Sequence, residues 1–218
     1  MGPMTRPASD SLTVILSRLD ARVHRVDEER WLSSRYAAET ERGALIVLYA
    51  FYYELARVRL SVSDQTLGQI RFQWWRDALA ELEQGEVRQH DVVLALAGQI
   101  ERAQLKISTL TDMVTQFEQA FLANDRAMEP EGLLARAAAN LCAPEHEGPG
   151  ALDELALDWA RLRRGEPARH AINRVQVAAP LRPALAHFRL RHAWQRDKKP
   201  GKVQTRLSIF LAVLIGSI

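Results

Sequence analysis

A chain of 218 residues that is 47% hydrophobic and 26% charged is long enough for one well-buried domain and ordinary in composition for a globular protein. Its single cysteine, Cys142, excludes an internal disulfide, and no stretch approaches the ~20 apolar residues of a membrane span. The net charge of +2 conceals an asymmetry: residues 1–160 carry 16 basic and 25 acidic side chains, whereas residues 161–218 carry 13 and 2. A basic end favours anionic partners such as lipid headgroups or nucleic acid, or packs beside the acidic remainder. The opening MGPMTRPASD lacks the apolar segment of a secretory signal. A cytoplasmic setting is therefore expected, with a peripheral position at the inner face of a membrane as its variant.

Almost every segment has helical periodicity. Leu12, Ile15, Leu16, Leu19 and Val23 share one face of a helix from Ser11 to Val26, with Asp10 or Ser11 placed to cap it. A second helix is expected from about Asp27 to Glu39, its acids at the positive end. Gly43 to Tyr53 then runs for eleven residues without a charge, apolar on all sides, so this helix should be a buried pillar. Glu54 and Arg57, one turn apart at its charged end, are expected to form a buried compensating pair. Asp64 can cap the next helix, Gln65 to Gln84, which stops at Gly85 and should bury Leu67, Ile70, Trp74, Ala78 and Leu82, with Trp75 and Leu79 extending that side.

Further helices are expected at 90–104, 108–124, 130–142, 150–164, 180–195 and 203–216, with Pro130, Pro149 and Pro180 at helix starts and loops at 143–150 and 197–202. No alternating strand pattern and no internal repeat appears. The fold class is all-α: one domain over 1–218, a pack of about ten helices whose basic end spans 161–218.

Nucleotide-binding loops and a Gly-x-Ser-x-Gly elbow are absent, and the six histidines have no zinc-site spacing. Cys142, on an Ala-rich helix, reads as a small core residue. Two carboxylate pairs, Asp77/Glu81 and Glu154/Asp158, stand at i, i+4 and could in principle hold a metal, although such pairs are commonly solvated helix faces. The adjacent Trp74 and Trp75 suit a core, or stacking on nucleobases.

The run from Asp27 through Leu79, together with Gln89-His90-Asp91-Val92-Val93-Leu94-Ala95-Leu96, resembles the squalene/phytoene synthase family, and the resemblance resumes in RLSIFLAVLIGSI. The resemblance implies an isoprenoid-synthase fold, shortened here relative to active members. Those members condense two prenyl diphosphates head to head, using magnesium held by two aspartate-rich motifs. Where the first motif should stand, this chain reads Ala56-Arg57-Val58-Arg59-Leu60. The counterpart of the second is Asp158-Trp159-Ala160-Arg161-Leu162-Arg163-Arg164, with arginine in place of aspartate. LLARAAANL stands where a Tyr-rich channel helix would be expected.

The pattern Glu54-Leu-Ala-Arg57-Val, Ser-Val-Ser-Asp64 and Gly68-x-x-Arg71-x-Gln73-x-Trp75 is most similar to a divergent branch of the family. That branch includes a mitochondrial assembly factor for respiratory complex I and bacterial relatives of it. The resemblance thus implies a non-catalytic protein without cofactor that meets complex subunits or assembly intermediates, with a prenyl or lipid ligand as a further partner. Tyr49, Tyr52, Glu54, Arg57, Arg59, Arg161 and Arg164 are the candidate pocket or anion-binding residues at the altered motifs. The alternative is a magnesium-dependent prenyltransferase using carboxylates elsewhere. A second alternative, a basic helical nucleic-acid-binding protein, is opposed by the acidic first 160 residues, so no nucleic acid is expected. Lys198, Lys199, Lys202 and Arg206, ahead of the apolar Leu207–Ile215, are candidate membrane contacts; a last core helix with a basic turn is the alternative.

Overall fold

In the computed structural model, which describes residues 9–102, 104–171, 173–196 and 200–218, the periodic segments become helices in the expected order. They are α1 (Ser9–Val26), α2 (Glu28–Ser34), α3 (Glu39–Ser61), α4 (Gln65–Glu83), α5 (Asp91–Glu101), α6 (Ile107–Leu122), α7 (Glu131–Cys142), α8 (Leu152–Arg163), α9 (Arg182–Leu185), α10 (Arg191–Trp194) and α11 (Lys202–Ile215). The all-α class holds: an isolated bridge between Gln176 and Ser217 is the sole extended pairing among the described residues. The cap expected of Asp10 or Ser11 lies outside the described side chains.

Packing groups the chain into two compact units, neither continuous in sequence. The first takes residues up to Arg25 and Ile46–Pro130; the second takes Val26–Leu45 and Glu131–Ile218. Helix α3 contributes to both. Its residues Ala44 to Tyr52 are all buried, as its lack of a polar face requires. Each large side chain removed from water there contributes about 1.5–3 kcal/mol.

In the first unit the aromatic residues of α3, α4 and α6 interlock edge to face: Phe51 with Trp75 at 5.3 Å, Tyr52 with Phe117 at 4.9 Å and Phe72 with Phe121 at 5.8 Å between ring centroids. Asp64 caps α4, accepting from the Leu67 amide at 2.9 Å. Gly85, at φ +83°, ends the helix in the left-handed conformation that glycine tolerates.

The buried face of α4 agrees with the apolar pattern in Trp75, Ala78, Leu79 and Leu82 but departs from it earlier in the helix. Leu67 and Ile70 are more than half exposed and Trp74 is at the surface, while Gly68, Phe72, Trp75, Ala78, Leu79 and Leu82 face inward. The reason lies across the helix pair, where the Phe121 ring occupies the space a side chain at position 68 would need. Only glycine lets α4 and α6 approach this closely. Gly68→Val is expected to cost about 1–3 kcal/mol through overpacking against a ring already held by Phe72, measured as a lower urea midpoint. Combining it with Phe121→Leu should recover part of that loss.

In the second unit, the helix expected over Asp27 to Glu39 is shorter. Asp27 has a non-helical backbone and caps α2 from outside, accepting from the Arg30 amide at 3.0 Å. The helix ends at Ser34, whose hydroxyl donates to the Trp31 carbonyl at 2.8 Å and competes with backbone continuation. The continuous helix expected at 180–195 is broken into α9, α10 and flanking 3₁₀ turns. Pro180 and Pro183 lie three residues apart and remove amide donors from successive turns. Helix α11 closes the chain on Gly216, at φ +72°, with the Val177 carbonyl pressed against the position of a Cβ.

Candidate functional site

The end of α3 was expected to carry the chemistry, and its charges are already engaged. Tyr49 and Tyr52 are buried in the aromatic core of the first unit. Glu54 pairs most closely with Arg22 of α1 and only loosely with Arg57, at 3.4 Å. Since the Arg57 side chain is 58% exposed, the expected buried Glu54–Arg57 pair is corrected: burial falls on the carboxylate, and Arg22 compensates it. Arg59 donates to the Ala120 carbonyl at 2.5 Å and the Asn124 amide oxygen at 3.2 Å, and lies 3.5 Å from Glu129. It thereby binds the C-terminal end of α6, where free carbonyls and the helix dipole favour a cation.

Magnesium needs several carboxylate oxygens converging on one point. Here Ala56 is half-buried and Leu60 is 80% exposed, and neither supplies an oxygen. The nearby acids are taken, Glu54 by arginines and Glu129 by Arg59 and Arg126. The Asp77/Glu81 pair is divided, Asp77 accepting from Gln73 at 2.7 Å and Glu81 held by the fork of Arg88 at 2.5 and 2.7 Å. That guanidinium lowers the Glu81 carboxyl below its usual range and lies 5.1 Å from the Trp74 ring. No three His, Cys, Asp or Glu side chains converge as metal ligands among the described residues. The residues present do not fit a magnesium clamp.

The α8 residues expected as the counterpart of the second motif are likewise bound up in their own unit. Arg164 grips Glu166 with two bonds, at 2.7 and 3.2 Å, while Arg161 meets Glu166 at 3.3 Å and donates to the Pro167 carbonyl at 2.8 Å. Asp158 and Glu154, one turn apart on α8, stand in different surroundings: Glu154 is exposed, whereas Asp158 is 1% exposed. Its carboxylate accepts the amides of Arg169 and His170, at 2.8 and 3.2 Å, and pins the segment that follows α8.

The densest charge cluster was not expected from the sequence. Arg30, 2% exposed, reaches Asp27 at 3.2 Å and Glu131 at 2.5 Å, with its guanidinium 4.3 Å from the Trp159 ring centroid. Arg163 completes it, 3.2 Å from both Asp27 and Glu29, on the same ring at 5.1 Å. His187 is buried 5.0 Å from Trp159, and neither ring nitrogen meets a hydrogen-bond partner among the described residues. Burial, then the nearby Arg30, holds it well below the usual imidazole range and neutral, against the opposite pull of Asp27. The one local signal was Asp27 placed to cap Arg30; the partners 101 and 136 residues away left no pattern. Cys142 is pushed up to about 12, chiefly by burial and then by Glu41, so it is a neutral thiol rather than a nucleophile.

Elsewhere in the second unit, a cleft of about 350 Å³ lies between α2 and α11, lined by Trp31, Leu32, Arg35, Tyr36, Arg206 and Ile209. Arg35 stacks 4.6 Å from Trp31, and Tyr36 stands 6.4 Å from Phe210. Lys202 and Arg206 are exposed in the first turns of α11; Lys198 and Lys199 lie outside the described residues. No described helix is long and apolar enough to cross a membrane.

A family model, squalene/phytoene synthase, matches residues 23–135, just over half of the chain. The chain belongs to the squalene/phytoene synthase family. The match takes in α2 through α6, including the altered first motif on α3, and the family implies an isoprenoid-synthase fold, in keeping with the all-helical architecture. Neither the curated proteins nor the solved structures contain a match.

Proposed function

We propose that this protein is a non-catalytic member of the squalene/phytoene synthase family that assists assembly of respiratory complex I. The observation that carries the loss of catalysis is the end of α3, where Ala56, Arg57, Arg59 and Leu60 replace a ligand set and Arg59 is committed to the end of α6. Metal-assisted departure of a diphosphate needs carboxylates that hold the ion, and cations at those positions repel it. Support for the assembly role comes from residues around and after that point: Glu54 and Arg57, Asp64, Gly68, Arg71, Gln73 and Trp75 follow the pattern of the assembly-factor branch. In this chain Gly68 serves helix packing and Asp64 serves capping, so the pattern preserves a shape rather than a reaction.

Two measurements test this. Purified protein incubated with farnesyl or geranylgeranyl diphosphate and magnesium should give no condensation product; a product would establish the prenyltransferase alternative. Deletion of the gene should lower complex I activity and leave partly assembled intermediates. Normal assembly in the deletion strain would remove the assembly role.

A further inference from the structure

Helix α11 is inverted relative to an ordinary last helix of a core. Ile209 and Ala212 are its buried residues, facing the rest of the second unit. Val203, Leu207, Phe210 and Leu214 are 78%, 53%, 45% and 61% exposed. Their spacing of four, three and four puts them on one stripe, and at about 100° per residue that stripe lies nearly opposite the buried pair. Solvent-facing positions normally carry polar side chains. Lys202 and Arg206 run along one edge of the stripe.

From Glu166 to the end of the sequence the only other acid is Asp197, against ten basic residues from Arg169 to Arg206. Of those two edge cations, Arg206 has a loose contact with Glu28, at 3.5 Å, with its side chain 60% exposed.

We propose that α11 lies in the headgroup region of an anionic phospholipid bilayer, with Val203, Leu207, Phe210 and Leu214 inserted and Lys202 and Arg206 on lipid phosphates. Charge complementarity selects this occupant. Helix α11, at 14 residues, is long enough to lie in an interface and does not meet the requirements for a span. Its spacing also resembles a coiled-coil seam, but two heptads fall short of the three to four such a seam needs. A second copy would offer the same cations and no acid on its own α11. Trp31 and Tyr36 line the adjoining cleft together with Arg35 and Arg206, a mixture of aromatic and cationic groups suited to headgroup depth. This inference does not depend on the assembly role.

The test is co-sedimentation of the full chain with phosphatidylcholine vesicles, with and without about one third phosphatidylglycerol, at low and high salt. Binding should require phosphatidylglycerol and weaken with salt. Lys202→Ser and Arg206→Ser should each lower the partition coefficient about fivefold. Leu207→Ser/Leu214→Ser, at exposed positions, should abolish binding while the circular dichroism spectrum stays helical. Three results overturn the proposal: absence of binding to phosphatidylglycerol vesicles, unchanged binding of the double serine variant, or a dimer in solution that this variant splits while vesicles stay unbound. Capture by an acidic peptide in place of vesicles would equally overturn it.

Discussion

Arg30→Met should destabilise the second unit by about 3–5 kcal/mol, the range for removing one member of a buried ion pair. Set against total stabilities of roughly 5–15 kcal/mol, that is enough to leave much of the protein unfolded under mild conditions. The cause is less the lost attraction than the carboxylate left behind. Glu131, with its side chain 8% exposed, meets Arg30 at 2.5 Å, and methionine cannot compensate its charge. Asp27 keeps Arg163, so the loss concentrates on Glu131. A second substitution, Glu131→Leu, should therefore restore much of the stability, since matched apolar replacements of buried ion pairs are often neutral or better. Urea unfolding followed by circular dichroism measures both. A midpoint for Arg30→Met equal to that of the unaltered protein, or no recovery in the double variant, would remove this account of the core.

The second large effect is acid sensitivity. His187 has its folded-state affinity for protons depressed by burial and by Arg30, so below about pH 6.5 the unfolded chain binds a proton that the native state excludes. Because the unfolded state then holds more protons, stability rises with pH through this window and falls on acidification, by about 1.4 kcal/mol for each pH unit. Above the unfolded-state value the effect vanishes. His192 shifts in the same direction, chiefly by burial, and acts with the same sign. Glu29 is raised by burial and by Asp27, and it opposes the trend only nearer the carboxylate range. Urea midpoints measured between pH 8 and pH 5 should thus fall, and His187→Phe should flatten most of that fall. A midpoint indifferent to pH in the unaltered protein would overturn the assignment.

Helix existence was legible throughout the chain because periodicity survives whatever packs against it. The uncharged run of α3 declared its own burial, and Asp64 and Gly85 marked the two ends of α4. Which residues turn inward in the first half of α4 was not legible. Leu67, Ile70 and Trp74 are as apolar as Phe72, Trp75 and Leu79, and the choice was made by a phenylalanine 53 residues further on lying against a bare glycine. The altered end of α3 could be read directly, since its residues are neighbours in sequence. The charge cluster around Arg30 could not, because its members come from α2, α7 and α8 and only folding makes them adjacent.

That scattering has a consequence for the order in which the molecule is made. The first unit is fully synthesised once Pro130 has been added, whereas Val26–Leu45 belong with residues that begin at Glu131. Arg30 precedes Glu131 by 101 residues, and Asp27 precedes Arg163 by 136. At ~5–20 residues per second the ribosome leaves Arg30 with Asp27 but without Glu131 for roughly 5–20 s. For that interval α2 is a short helix without its neighbours, too short to persist alone in water. The chain therefore emerges with an early segment held in reserve inside a unit that only residues from Glu131 onward complete.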